Sequence, residues 1–127
     1  MDRAGIVTWI GQRYGAYLSA VNRSASEAGI GPAIDDAERA LGLALADYPL
    51  TDQGHIDDIL LQAAYRVMEQ VVRDMGPAFF NISTDGDSFS LNQIRVAAEK
   101  DLEHLKGQML AVFGTLAISS GGGIMTI

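Results

Sequence analysis

Cysteine is absent from the 127 residues. That removes disulfide staples, thiolate zinc sites and thiol nucleophiles together, and leaves an apolar core to supply the stability. Aromatic residues make up only 7% of the chain, and two histidines are present. His55 and His104 fall in different segments, with neither an HExxH motif nor paired-ligand spacing around them, so both read as solvated surface histidines and no metal site is expected. An unbroken apolar run is also missing. The first twenty residues carry Ile6, Val7, Trp9, Ile10, Tyr14, Tyr17 and Leu18, but Arg13 and three glycines interrupt them. This is neither the centre of a signal peptide nor the ~20 apolar residues that span a bilayer. Basic charge is short too: nine Lys and Arg stand against sixteen Asp and Glu, a formal charge of −7. That balance argues against sequence-specific binding to nucleic-acid phosphates.

What is present is an ordinary globular composition, 48% hydrophobic and 20% charged, of a length that fits one domain. Within 1–127 the pattern divides into an N-terminal helix and linker over 1–33, a helical core over 34–113 and a C-terminal tail over 114–127. Apolar residues at Ile6, Ile10, Tyr14, Leu18 and Val21 predict an amphipathic helix that needs a partner surface, because its interior glycines weaken it. Gly11, Gly15 and Ser19 share one side of it, where another helix could approach closely. Ser24 to Pro32 reads as a linker. A second helix with Ile34, Ala37, Leu41, Leu45 and Tyr48 on one side is expected to stop before Pro49.

Ile56 to Met75 gives the clearest helical pattern, ended by Gly76-Pro77. Asp85-Gly86 between short alternating runs predicts a small β-hairpin at about 79–90. A last helix follows from about Leu91 to Phe113, with Ser90 as its cap. The expected fold is therefore all-α: a bundle of three to four helices with a small hairpin and an extended tail. That tail has no charged side chain, and Leu116, Ile118, Ile124, Met125 and Ile127 in it suggest docking on a neighbour.

Catalytic signals are weak throughout. No GxSxG elbow surrounds a serine. Asp85-Gly86-Asp87-Ser88 starts like a calcium loop, but the sixth position is Ser90 and the twelfth is Val96 where glycine and glutamate are needed. Gly121-Gly122-Gly123 is followed by neither a lysine nor a helix, so it is no phosphate loop. Glu99 and Glu103 belong to a mixed charged face. The expectation is no enzyme and no cofactor; a deep pocket lined by His55, or by a carboxylate of shifted pKa, would be the sign against it. Seven acids between Asp35 and Asp58 face the single base Arg39, either as a solvated surface or as one that repels a polyanion or meets a basic partner.

The stretch from about Asp35 to Phe113 resembles the head–tail connector (adaptor, or head-completion) proteins of tailed bacteriophages. The resemblance rests on the acidic helix ending at Leu45-Ala46-Asp47-Tyr48-Pro49-Leu50-Thr51-Asp52 and on the long helix with Leu60-Leu61-Gln62-Ala63-Ala64. It continues through Thr84 to Gln93 and a last helix with Leu102, Leu105 and Leu110. It implies a virion structural protein of the phage neck: a homo-oligomeric, usually dodecameric, ring beneath the portal protein, bound to a downstream tail or neck protein, with DNA passing through the channel. It also implies that Asp35, Asp36, Glu38, Asp57 and Asp58 face that channel. Ile6, Ile10 and Tyr14, together with the tail residues, would then serve protein interfaces. The segment Ala4 to Val21 has no counterpart in the family pattern. Other readings are a small helical regulatory, protein-binding module using the N-terminal helix, or a different neck protein, a stopper or tail terminator.

Overall fold

A computed structural model describes the backbone of residues 1–80, 85–114, 117–118 and 124–125, and the side chains of residues 1–75 and 92–114. Within it the chain forms four helices: α1 (Arg3–Ala20), α2 (Glu27–Leu41), α3 (Gln53–Phe80) and α4 (Asp85–Phe113). A single 3-10 turn, Leu45–Asp47, lies between α2 and α3, and two short strands, β1 (Ala117–Ile118) and β2 (Ile124–Met125), follow α4. The helices make an all-α bundle in which α1, α2 and α4 each pack on α3.

The N-terminal helix begins where the Asp2 carboxylate accepts the Gly5 N–H at 2.8 Å, a capping contact that satisfies one of the orphan donors of the first turn. Ile6, Ile10, Tyr14 and Leu18 are buried. They recur every four residues, so they make one stripe along the helix. Facing them, α2 buries Ile30, Ala33, Ile34 and Ala37. From α3 come Ile59, Ala63, Ala64, Val67, Met68, Val71 and Met75, and from α4 Ala98, Leu102, Leu105 and Met109. Of the residues expected at an interface, Ile6 and Ile10 spend their side chains in the chain's own core, and Tyr14 is largely buried there while also reaching the groove described below. The close approach expected at Gly11 is real but is made by the loop: a Cβ there would meet the Ala25 carbonyl oxygen at 3.1 Å.

Several boundaries differ from the sequence pattern. α2 starts at Glu27, inside the expected linker, and carries Pro32 within it. Gly29 makes this start possible, since a Cβ on it would lie 2.0 Å from the Ser24 carbonyl oxygen; only glycine lets the loop cross the first turn so closely. The helix ends at Gly42, not at Pro49. Gly42 adopts the left-handed conformation (φ +69), the Leu43 N–H donates to the Glu38 carbonyl at 2.9 Å and the Gly42 N–H to that of Arg39 at 3.2 Å. That is the paired Schellman closure. Leu45, expected on the apolar face, is consequently 84% exposed.

The expected hairpin at about 79–90 is corrected as well. Phe79 and Phe80 belong to α3, which runs through Gly76-Pro77, and Asp85 to Ser90 form the start of α4. Of that expectation, 81–84 lie outside the described residues. A proline removes one backbone donor without having to end a helix held by tertiary packing. The backbone of α4 begins at Asp85. The tail, expected to be extended, instead pairs β1 with β2 antiparallel, Ala117 opposite Met125 and Ile118 opposite Ile124.

Gln62 of α3 is fully buried, and neither end of its amide finds a hydrogen-bond partner among the described residues. Burying such a group unpaired costs about 1–3 kcal/mol. Gln62→Met, which keeps the unbranched shape, is expected to raise the urea midpoint of unfolding. Gly29→Ala is expected to lower it by the equivalent of about 1–3 kcal/mol, the cost of forcing a methyl group against packed backbone.

Candidate functional site

The acidic segment resolves into two separate groups. On α2, Asp35 and Glu38 are engaged by Arg3 of α1. The Arg3 guanidinium donates through Nη1 to Glu38 Oε1 at 2.7 Å and through Nη2 and Nε to Glu27 Oε1 at 2.6 and 2.9 Å. Its Nη2 also lies 2.7 Å from Asp35 Oδ1 and donates to the Gly31 carbonyl at 3.1 Å. Hydrogen bonding to Glu27, opposed by partial burial and reinforced by Asp35 and Glu38, raises the guanidinium pKa above its already high ordinary value. Glu38 also accepts from the Tyr48 hydroxyl, whose pKa is pushed up by burial first and by this carboxylate second. Asp36 pairs with Arg39 one turn on. These acids stitch α1, α2 and the following loop together.

Asp57 and Asp58 are elsewhere. They stand in the first turns of α3, after Asp52 has capped that helix by accepting the His55 N–H at 3.1 Å, and they edge a groove of about 640 Å³. Of the five acids expected to face one channel, Asp57 and Asp58 line this groove, while Asp35, Asp36 and Glu38 do not. Leu60, Leu61 and Ala64 of α3 form the groove's floor, Trp9, Arg13 and Tyr14 of α1 one wall, and Leu105 and Val112 of α4 the other. Asp101, His104 and Gln108 add polar groups along the α4 side. The α1 wall is ordered by aromatic contacts: Trp9 meets Tyr14 edge to face at 6.3 Å, and the Arg13 guanidinium lies 5.2 Å from the Trp9 ring centre, a cation–π geometry. Tyr17 ties the two walls together by donating to Asp101 Oδ2 at 2.7 Å.

Apolar side chains on α4 remain open to solvent: Val112 is 56% exposed, Val96 51% and Leu110 42%. Val112 lies at the groove mouth. His104 lines the groove and is exposed, and His55 is exposed on the first turn of α3. Of the tail residues expected at an interface, Ile118, Ile124 and Met125 lie in the two strands, while Leu116 and Ile127 and the side chains of all five are outside the described residues. Among the described residues no cluster of three or more metal-ligating side chains forms, and no helix is long and apolar enough to cross a membrane.

Comparisons with protein-family models, curated proteins and solved structures found no match to this chain. The site is therefore read from its own geometry. Sequence periodicity missed the groove because it is made by residues flanking the buried stripes. Trp9 and Arg13, four apart and beside Ile6, Ile10 and Tyr14, were its best available signal.

The phenols give this region a pH signature. Burial first, then the hydrogen bond to Asp101, pushes Tyr17 up to about 12; burial, then Glu69, does the same for Tyr65, whose hydroxyl donates to Glu69 Oε2 at 2.7 Å. Both ionise later folded than unfolded, where tyrosine titrates near ~10. Their stabilisation is complete below that value and is lost as pH rises through the folded one. Tyr17→Phe with Tyr65→Phe is expected to lower stability at pH 7 and to flatten its decline between about pH 10 and 12, read as urea midpoints across that range. Arg3→Met leaves Glu27, Asp35 and Glu38 facing one another and, with two of the three largely exposed, is expected to cost about 1–3 kcal/mol, by the same measurement.

Proposed function

We propose that this chain is a structural subunit of a phage head–tail connector, assembling into a ring beneath the portal and joining the DNA-filled head to the tail. The observation that carries this reading is the acid-edged groove at the free end of the α3–α4 pair, open in the single chain, beside the point where an uncharged apolar tail leaves the bundle. Such a chain offers both a receiving surface and a projecting one. Head-to-tail contacts between unlike surfaces generate rings when the rotation closes.

The acidic balance fits a channel through which DNA must slide, because fixed negative charge gives phosphates no cation to hold. Asp35, Asp36 and Glu38 could serve this role only in part, since Arg3 and Arg39 already engage them. Asp57 and Asp58 form no ion pair among the described residues and retain more of their field. The long helices α3 and α4 and the acidic segment before α3 keep the order on which the resemblance to connector proteins rests. The β element of that resemblance is replaced by the start of α4.

A small helical module that binds a single regulatory partner would use the same groove but would not need the tail. Light scattering behind a sizing column separates the two. The full chain is expected to form a closed ring of about a dozen copies, or to join one on addition of a portal ring, and the chain ended after Gly114 is expected to lose that assembly. A species of fixed low mass, indifferent to the tail and to the portal, would identify the regulatory module instead.

A further inference from the structure

We infer that the occupant of the groove between α1 and α4 is the C-terminal hairpin, residues 115–127, of a second copy of this chain. This rests on the ring-forming reading and names the contact that would build the ring. Four observations converge on it. The groove floor is apolar, through Leu60, Leu61 and Ala64, and the wall contributed by α4 ends at Val112, one residue before that helix stops. The tail therefore departs from the groove's mouth.

The tail carries no charged side chain among its thirteen residues, so Asp57, Asp58 and Asp101 repel none of its side chains. The stretch of α4 from Asp101 to Val112 is roughly 16 Å long at the helical rise, which about five residues of strand would cover; Leu116–Ile118 and Ile124–Ile127 are both short enough to fit. Finally, β1 and β2 are paired over two residues each, and an isolated two-stranded ladder is marginal in water. It needs a surface.

A second copy, and not the hairpin's own groove, supplies that surface. Among the described residues the main contacts of β1 and β2 are with each other, while Val112 at the groove mouth stays 56% exposed. Gly114, with φ +73, turns the chain at the end of α4. Thirteen residues reach up to about 43 Å when extended. The donor uses its tail and the acceptor its groove, so the contact is heterologous and leaves one free tail and one free groove on every open assembly until the ring closes.

The test uses copies that each retain one half of the contact. Full-length Val112→Glu keeps its tail and blocks its groove; Ala111→Glu serves as a second blocking variant, and both positions are exposed. The chain ended after Gly114 keeps its groove and every core residue from Ile6 to Met109. Mixed, a blocked full-length chain and a tail-less one are expected to form a one-to-one dimer, although neither associates with itself. A fluorophore-labelled peptide of residues 115–127 is expected to bind the tail-less chain saturably, and at least tenfold more weakly once Val112→Glu or Ala111→Glu is added.

Absence of peptide binding would overturn the inference. So would an unmutated full chain that stays monomeric while the peptide binds the tail-less chain, since the tail would then fill its own groove. A ring that persists after tail removal would refute this contact and leave the ring reading standing, whereas a full chain that neither oligomerises nor joins a portal ring would remove both.

Discussion

Burial of α3 from three sides is the constraint on which the structure depends. Its apolar residues cover far more than one stripe: Ile59, Ala63 and Val67 lie apart around the helix from Ala64, Met68 and Met75, and all are buried. A helix apolar over so much of its circumference cannot lie at a surface; it must be surrounded. The other three helices exist to cover it, and each is amphipathic only to that extent. The glycines in α1, unfavourable in an isolated helix, are tolerated because Ile6, Ile10, Tyr14 and Leu18 gain more from burial than the glycines cost.

How the covering helices are held in place differs between the two ends of the chain. α1 and α2 are joined by a charged network in which one guanidinium meets three carboxylates, while α4 is held mainly by its packing along α3. The acidity of the segment after residue 35 thus has two physical roles. Part of it is structural and neutralised locally by Arg3 and Arg39. The remainder, including Asp57 and Asp58, stands at the edge of the groove and sets the electrostatic character of whatever is admitted there.

Much of this was legible in the sequence, and the failures are informative. The stripes of α1 and α3 follow directly from three- and four-residue spacing, because burial enforces that spacing. Helix ends were harder. Gly42 closes α2 through a left-handed residue, a signal present in the sequence but outweighed by the louder Pro49. Gly76-Pro77 reads as a stop, yet the α3 backbone runs through it to Phe80. Asp85-Gly86 is an excellent turn dipeptide in isolation, yet an acid followed by a helical pattern starting six residues later fits a helix N-terminus equally well. The groove was least legible, since it depends on how far α1 and α4 stand apart, a distance that no local pattern encodes. Nor did any pattern distinguish Ile6 and Ile10, spent internally, from Val112, which is not.

The bond from Tyr17 to Asp101 has a mechanical consequence. Among the described residues α2 and α4 do not pack on one another to any extent comparable with their contacts to α3, so α4 meets the rest of the bundle through α3 and, more lightly, through α1. A load applied at the far end of α4 is then borne by the α3–α4 seam and by this phenol–carboxylate link, while the Arg3 network on the opposite flank carries none of it directly. The α1–α2 side is thus joined by a knot of charges, and the α1–α4 side by a lighter helix contact to which one hydroxyl adds a bond.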